Sequence, residues 1–514
     1  MDGPLKNPQT EILTLVEIVK HNLFFAVIRG SSCNRKLKND GDLFYFSIDE
    51  ELQYNNYYCD FGPLSISCLF KYCMKLNKYL QYGRGIKGIV HYTCSNADKK
   101  ANAAFLIGAY CVIYLKMQPR DIYNLLEQAG PFKHFLDASQ FICQFTLKII
   151  DCYQAIAKAI IFNFFNFNDF NSLEYDLYNK LEYGDLNWLL PRKFLAFIGP
   201  ADNGTAHSPG FYIKYFLKND VKTVVRLNTV KYDSYAFMQV GIEHFDLIYP
   251  DGTVPPKEIL MKFLYIAESA PAAIAVHCKA GLGRTGSLIG AYLIKHYRMT
   301  AREAIAWLRI CRPGSVIGQQ QIWLEKIQNW LWRIGTQYRL EKYGESNRIP
   351  RHKYGIYSKV WPTEREKLLR ETRKKLQSSF TKSQLEALTQ AQNTRKLITV
   401  EKMSDNDSKI FPTTGDSFKN ISKLLSSVHG MCSSECKPIS DMPVKQVLQL
   451  EKCIMSNDEE LPLPLKIKQQ SKKTLVKQTA QKFFKVPTLP TQGDKLNEIK
   501  AIRLKSLFRK AHKS

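Results

Sequence analysis

The stretch that most restricts what this chain can fold into is residues 272–297. An apolar run, residues 272–276, feeds His277-Cys278-Lys279-Ala280-Gly281-Leu282-Gly283-Arg284-Thr285-Gly286, and an apolar helical pattern over 287–297 leads away from it. Strand, tight loop and helix in that order make an anion-binding loop at the carboxyl end of a strand, where mainly parallel α/β sheets bind ligands. Gly281 and Gly283 permit backbone angles that a side chain resists, so the loop amides can turn inward and join the helix N-terminus as a nest for an anion. Cys278 precedes Arg284 by six positions, which puts the thiol at the base of the loop and the guanidinium at the start of the helix. Such a field favours thiolate over thiol. Arg284 can grip two phosphate oxygens with a bidentate fork, as a lysine could not. A structural cysteine that merely lies near an arginine would need neither the histidine, the two glycines and Thr285 nor these flanks.

Taken together, these residues resemble the signature of the cysteine-dependent phosphatases, the tyrosine and dual-specificity enzymes among them. Cleavage of a phosphate ester needs a nucleophile, a cradle for charge, a proton for the leaving oxygen and a way to release the phosphoenzyme. Cys278 is the expected nucleophile. The loop Lys279, Ala280, Gly281, Leu282, Gly283 and Arg284 is the expected cradle. His277 is expected to support the cysteine through hydrogen bonds, and Thr285 to donate to the sulfur as it leaves. The proton donor must come from another loop. Asp251, in Pro250-Asp251-Gly252-Thr253 just past a predicted strand over 244–249, is the preferred candidate, and Asp246 inside that strand is the competitor. Gln320, followed by Gln321, is placed to orient the hydrolytic water. This chemistry calls for no metal and no cofactor.

The chain contains a degenerate second copy of the same pattern. Leu106-Ile107-Gly108-Ala109-Tyr110 repeats Leu288-Ile289-Gly290-Ala291-Tyr292 letter for letter, with Met117 and Met299 following at equal distance. His91, at the end of a predicted strand, stands where His277 stands. Counted back from the shared leucine, Asn96 takes the place of Cys278 and Asn102 that of Arg284. Counted from the histidine, the cysteine position is Tyr92. In both registers the first copy lacks the chemistry, so it is expected to shape a surface rather than to cleave.

At 514 residues two or three domains are expected. The pattern predicts an N-terminal non-catalytic domain over 9–165, with a helix leading out over 137–166. An acidic linker helix over 166–194 follows, then a catalytic domain over 195–345 and a basic, largely disordered tail over 346–514. Alternating strands and helices predict two α/β units, each a mainly parallel sheet flanked by helices. The net charge is +26, and residues 351–514 hold 33 Lys and Arg against 16 Asp and Glu. Such a tail suits an acidic partner or is simply solvated. Within it, 499–512 has the pattern of a short basic amphipathic helix. The 13 cysteines show no paired spacing; Cys432 and Cys436 come nearest to a metal pair, with no second pair beside them. No secretory pattern opens the sequence. The most apolar window, 141–167, is broken by Lys148, Asp151 and Lys158 and reads as buried helix rather than a membrane span. A reducing, intracellular setting is expected.

A closer resemblance rests on longer runs. Residues 275–286, Ile310-Cys311-Arg312-Pro313-Gly314-Ser315-Val316-Ile317-Gly318, His296-Tyr297-Arg298-Met299-Thr300 and Ala101-Asn102-Ala103-Ala104-Phe105 are similar to the CDC14-type dual-specificity phosphatases, over about residues 10–345. In the tail, Thr491-Gln492-Gly493-Asp494-Lys495-Leu496 is similar to a short segment of family tails. The resemblance implies two tandem phosphatase-fold domains with catalysis in the second. It implies phosphoprotein substrates at cyclin-dependent-kinase sites: phosphoserine followed by proline, a basic residue downstream, and phosphotyrosine as well. An acidic groove would read the basic residue, with Asp137, Asp176 and Asp185 as candidates, although Asn179 stands where an acid is expected. The resemblance also implies roles in cell-cycle and mitotic-exit control, a nuclear, nucleolar and cytoplasmic location extending to centrosome or spindle, and no obligatory nucleic-acid partner. Two other functions stay open on the residues alone. One is a phosphoinositide phosphatase, against which Leu282 stands where lipid-directed loops usually have a second lysine. The other is a non-catalytic phosphoprotein-binding scaffold, against which the full set Cys278, Arg284 and Asp251 weighs.

Overall fold

The computed structural model describes residues 12–30, 37, 42–82, 88–141, 144–201, 207–379 and 490–511. It divides into two units, residues 1–366 with 484–514 and residues 367–483; the first holds both sheets and the C-terminal helix. The first sheet has the order β1 (Ile12–Val19), β2 (Leu23–Ile28), β4 (Gly88–Cys94), β3 (Leu43–Phe46), with β1 antiparallel to β2 and the other pairs parallel. The second has the order β5 (Leu186–Leu190), β6 (Phe194–Phe197), β9 (Ala273–His277), β7 (Val221–Arg226), β8 (Glu243–Asp246), with β5 antiparallel to β6 and the rest parallel. β4 and β9 are buried along their whole length, as apolar runs at the centre of a parallel sheet must be.

The two sheets repeat one topology. His91 on β4 lies opposite Phe25 of β2 and Phe46 of β3, and His277 on β9 lies opposite Phe197 of β6 and Arg226 of β7. The repeat is thus anchored by its histidines. Helices cover both sheets: α1 (Ile66–Tyr82), α2 (Ala97–Ile113), α3 (Pro119–Leu126) and α4 (Ile149–Ile161) in the first half, then α5 (Ser172–Tyr178), α6 (Pro209–Lys218), α7 (Tyr235–Met238), α8 (Lys257–Ser269), α9 (Gly283–Tyr297), α10 (Ala301–Cys311) and α11 (Gln319–Tyr343). The halves are packed together through α4 and α10. The Trp307 indole is buried and stacks on Phe165, with Phe164 beside it. Lys158 pairs with Glu303 at 2.6 Å, and Arg302 NH1 donates to the Thr146 carbonyl at 2.7 Å.

Three expectations need correction. The helix expected over 137–166 is confined to α4, because Leu147 bridges to Phe135 in extended form and Asp151 begins the helix by accepting the Lys148 amide. The segment 166–194 is not one linker helix: α5 spans seven residues, and β5 already belongs to the second sheet. In the tail, the end helix expected over 499–512 is longer than its amphipathic pattern. Beyond α12 (Val360–Ser379), residues 492–511 form a helix, α13, beginning well before the amphipathic pattern at 499. Its start is set by a reciprocal cap. Thr491 Oγ1 and the Asp494 carboxylate exchange hydrogen bonds with each other's end of the first turn, the Thr491 amide reaching Asp494 Oδ2 at 3.0 Å. Cys432, Cys436 and the remainder of the expected disordered tail, residues 380–489, lie outside the described residues.

Candidate active site

The predicted loop stands at the carboxyl end of β9 and runs into α9. Gly281 has φ +69, and a Cβ there would lie 2.1 Å from the Phe197 carbonyl oxygen, so glycine is required both for the angle and for the space. The loop carbonyls are held from outside. Arg312 Nε donates to Gly281 O at 2.8 Å and NH2 to Ala280 O at 3.1 Å, while the Gly199 amide donates to Lys279 O at 3.1 Å. In a trans peptide the carbonyl of one residue and the amide of the next point opposite ways. Carbonyls anchored outward therefore leave the amides of Ala280, Gly281 and Leu282 facing into the loop, the arrangement of an anion nest. Arg312 also bonds Asn187 Oδ1 at 2.6 Å and pairs with Asp185 at 3.0 Å, so it ties the loop to β5. Sequence reasoning gave Arg312 no role. Its one signal was its place at the head of Arg312-Pro313-Gly314-Ser315.

Cys278 is 3% exposed. Burial pushes its thiol up, and Asp251 adds to that; Arg284, with smaller help from Thr285, overrides both and holds it below the ordinary thiol range. The Thr285 hydroxyl is itself buried without a geometric hydrogen-bond partner among the described residues, so its effect on the sulfur is one of proximity here. Arg284 NH1 is fixed by the carbonyls of Leu227 at 3.1 Å and Tyr249 at 2.9 Å, and NH2 faces Asp251 Oδ1 at 3.2 Å. Arg284 Nε is buried and meets no acceptor among the described residues. A cationic N–H held unpaired beside the cysteine is costly unless an anion comes to it.

His277 is fully buried and remains neutral, burial pulling its imidazole down to about 3. Its Nδ1 lies 3.0 Å from the Cys278 carbonyl, which can only accept, so Nδ1 carries the proton. Nε2 must then accept from the Tyr232 hydroxyl at 2.7 Å, and Tyr232 in turn accepts from His244 Nε2 at 2.8 Å. Burial likewise pulls His244 down to about 4. The expected support of the cysteine by His277 is therefore a three-residue relay. Tyr232 and His244 were not visible as its members because they are distant in sequence.

Asp251 lies in the loop after β8. It lines a cleft of about 400 Å³ together with Asn228, Tyr249, Lys279, Arg284 and Thr491. Asp246 is engaged by the Arg226 fork at 2.6 and 2.7 Å. Burial raises its carboxyl, but Arg226 outweighs that and holds it below the usual range. Gln320 is fully buried, bridging the Ile317 amide at 3.1 Å and the Thr253 carbonyl at 3.1 Å, and a Cβ on Gly283 would lie 2.9 Å from its Oε1. It thus joins the Asp251 loop to the segment before α11 and packs against Gly283 of the phosphate loop. Gln321 instead accepts from Arg309 inside the core. The three groove candidates part company. Asp137 is buried and caps the Gly318 amide at 2.6 Å; Asp176 binds Ser67 at 2.7 Å and Lys71 at 2.8 Å, tying α5 to α1. Asp185 lies behind the loop with Arg312, and burial, which raises its carboxyl, is outweighed by Arg312 and Lys500.

In the first copy the equivalent donors are used internally. The α2 cap Asn96 lies five positions after His91, as the α9 cap Leu282 lies five after His277. The histidine register is thus the structural one, and α2 carries an extra turn before the shared Leu-Ile-Gly-Ala-Tyr. The Asn96 side chain accepts from the amides of Asp98 at 3.0 Å and Lys99 at 3.1 Å, and Asp49 takes the Cys94 amide at 3.0 Å. Internal oxygens occupy the place of an anion, and Tyr92 and Asp98 stand where the cysteine and arginine would be.

Two family models match, the dual specificity protein phosphatase N-terminal half over residues 17–159 and the dual specificity phosphatase catalytic domain over residues 210–329. The chain is 49% identical over 338 residues to the human dual specificity protein phosphatase CDC14A, covering 64% of this chain and 56% of that protein. It is 50% identical over 311 residues to mouse CDC14B, covering 59% and 64%. With human CDC14C it shares 45% over 354 residues, covering 67% and 77%. The match therefore spans little more than half the length of the CDC14A relative. Among solved structures, Tk-PTP in the active form aligns over 28% of this chain and 96% of its own at 26% identity, with a TM-score of 0.25. Both family models, their order and the extent of the matches to the CDC14 relatives agree: the chain belongs to the CDC14 family of dual specificity protein phosphatases.

Proposed function

We propose that this chain hydrolyses phosphate monoesters on proteins, acting on phosphoserine and phosphothreonine at Ser-Pro or Thr-Pro sites with a basic residue downstream, and on phosphotyrosine. The observation that carries this is the unpaired, buried Nε of Arg284 beside a Cys278 held below the thiol range. A nucleophile and an unclaimed cationic donor share one inward-facing loop. In the first step the Cys278 sulfur attacks phosphorus, the S–P bond forms and the P–O bond to the side chain breaks. Protonated Asp251 gives its proton to the departing oxygen. In the second step water attacks phosphorus, Asp251 takes back a proton, and the S–P bond breaks with the Thr285 hydroxyl donating to the leaving sulfur. The loop amides and Arg284 hold the equatorial oxygens throughout. Family membership supports cyclin-dependent-kinase sites as substrates and a role in cell division. Support for a lipid substrate is weaker, because Leu282 is buried against Ala138 and Ile317 and offers no second loop cation.

Phosphopeptides varied at the positions after phosphoserine, assayed beside inositol phospholipids, test this reading. Turnover of Ser-Pro phosphopeptides with a downstream lysine is expected to exceed that of the lipids. Preference for the lipids would overturn it.

A further inference from the structure

The C-terminal helix α13 is seated on the catalytic loop. Its first turn meets the chemistry. The Gly493 amide donates to Asp251 Oδ2 at 2.8 Å, Thr491 Oγ1 lies 3.3 Å from Lys279 Nζ, and Lys279 pairs with Asp494. Contact is so close that a Cβ on Gly493 would lie 2.7 Å from Lys279 Cβ and 2.8 Å from Asp251 Oδ2. One turn on, Leu496 is 2% exposed in an apolar pocket of Ala138, Ala280, Leu282 and Ile317. A further turn on, Lys500 is buried. It pairs with Asp185 and donates to Ala280 O at 2.9 Å. Arg503 closes the row, its guanidinium 4.4 Å from the Tyr57 ring centre.

These contacts use residues expected to meet a substrate: the acid Asp251, the loop residues Lys279 and Leu282, and Asp185 for a basic residue. We propose that this face is a peptide-docking groove whose intramolecular occupant is residues 491–503, a substrate mimic that competes with phosphoprotein for the site. The segment is no substrate itself. The Thr491 hydroxyl is occupied as a helix cap, and an amide rather than a leaving oxygen faces Asp251. External ligands of the groove are then peptides that present an apolar residue and a downstream lysine at the spacing of Leu496 and Lys500. Mass action sets the consequence: a substrate's apparent affinity falls by the fraction of molecules with the groove free, and tethering keeps the mimic at high local concentration.

The proposal rests on the phosphatase reading, and the test separates the two. The 514-residue Cys278→Ser chain is titrated with a fluorescent phosphoserine-proline peptide carrying a downstream lysine, alone and with Leu496→Glu or Gly493→Val added. Each tail substitution should tighten peptide binding about tenfold or more, the factor that burial of one leucine contributes. A synthetic 490–506 peptide added to the Leu496→Glu chain should weaken binding again, and the same peptide with Lys500→Glu should not. Unchanged or weaker phosphopeptide binding in both tail variants overturns the proposal. So does failure of a labelled 490–506 peptide to bind the Leu496→Glu chain. If that peptide binds while no variant binds phosphopeptide, docking stands, and what is overturned is the competition and with it the phosphatase reading.

Discussion

Replacing Arg284 by lysine keeps the charge and removes the geometry. In the structure NH1 is spent on the carbonyls of Leu227 and Tyr249 and NH2 faces Asp251, so the donors left for a phosphoryl group are Nε and the NH2 hydrogen not turned to Asp251. Withdrawal of one such donor costs about 10²–10³ in kcat. Two are at stake, and an ammonium restores part of one, so a loss of about 10³–10⁴ is expected. A second effect is separable from the first. Burial and Asp251 both push the Cys278 thiol up, and Arg284 is the principal group opposing them. A lysine ammonium that cannot reach both carbonyls and the loop lets the thiol rise. Alkylation of Cys278 by iodoacetamide, followed against pH, reads this without any substrate. The alkylation midpoint should move to higher pH in Arg284→Lys, while the fold loses only about 1–3 kcal/mol for the weakened anchors. An alkylation profile identical to that of the unaltered chain would refute the assignment of Arg284 as the group that holds the thiolate.

Other outcomes follow from the same geometry. Asp251→Ala should slow phosphoserine peptides by about 10²–10⁴ but an aryl phosphate with a good leaving group far less; equal losses would move the acid elsewhere. Tyr232→Phe strands His277 Nε2 and the His244 Nε2 proton in the core, for a loss of about 1–3 kcal/mol in urea unfolding; no loss would break the relay. His91 and His277 are neutral when folded, burial pulling both to about 3 from an ordinary 6.5. Below pH 6.5 the unfolded chain takes up protons that the folded chain refuses. Stability should therefore fall between pH 6.5 and 5 by about 1–2 kcal/mol for each histidine; urea midpoints that hold steady over that window would contradict it.

Much of the fold was legible because central strands and the catalytic loop are local. An apolar run such as 273–277 announces a buried strand, and His277 to Gly286 carries its loop geometry in its own glycines. The repeat was legible through its identical pentapeptides, but its register was not. An extra turn in α2 makes the leucine count disagree with the histidine count, and the places of the histidines in their sheets and of the helix caps decide between them. What stayed hidden was made by contacts between distant residues. Arg312 turns the loop carbonyls outward from 31 positions away, and the Tyr232 hydroxyl reaches His277 from 45. Acidic residues near the linker could be found by composition, yet composition could not tell Asp185 behind the loop from Asp176 spent on Ser67 and Lys71. The helix over 492–511 was legible as an amphipathic end but not as an occupant, because its buried face is defined by a surface more than 200 residues earlier in the chain, such as Ala280 against Lys500.

The central claim is that Cys278 carries the phosphoryl group between substrate and water. Mixing the chain with a phosphopeptide bearing radiolabelled phosphate, quenching in acid within the first turnover and mapping the digest tests it directly. The label is predicted on the peptide containing Cys278, in an amount that tracks the initial burst of product, and it is predicted to vanish together with turnover in Cys278→Ser. Label on another residue, or turnover that survives in Cys278→Ser, would contradict it.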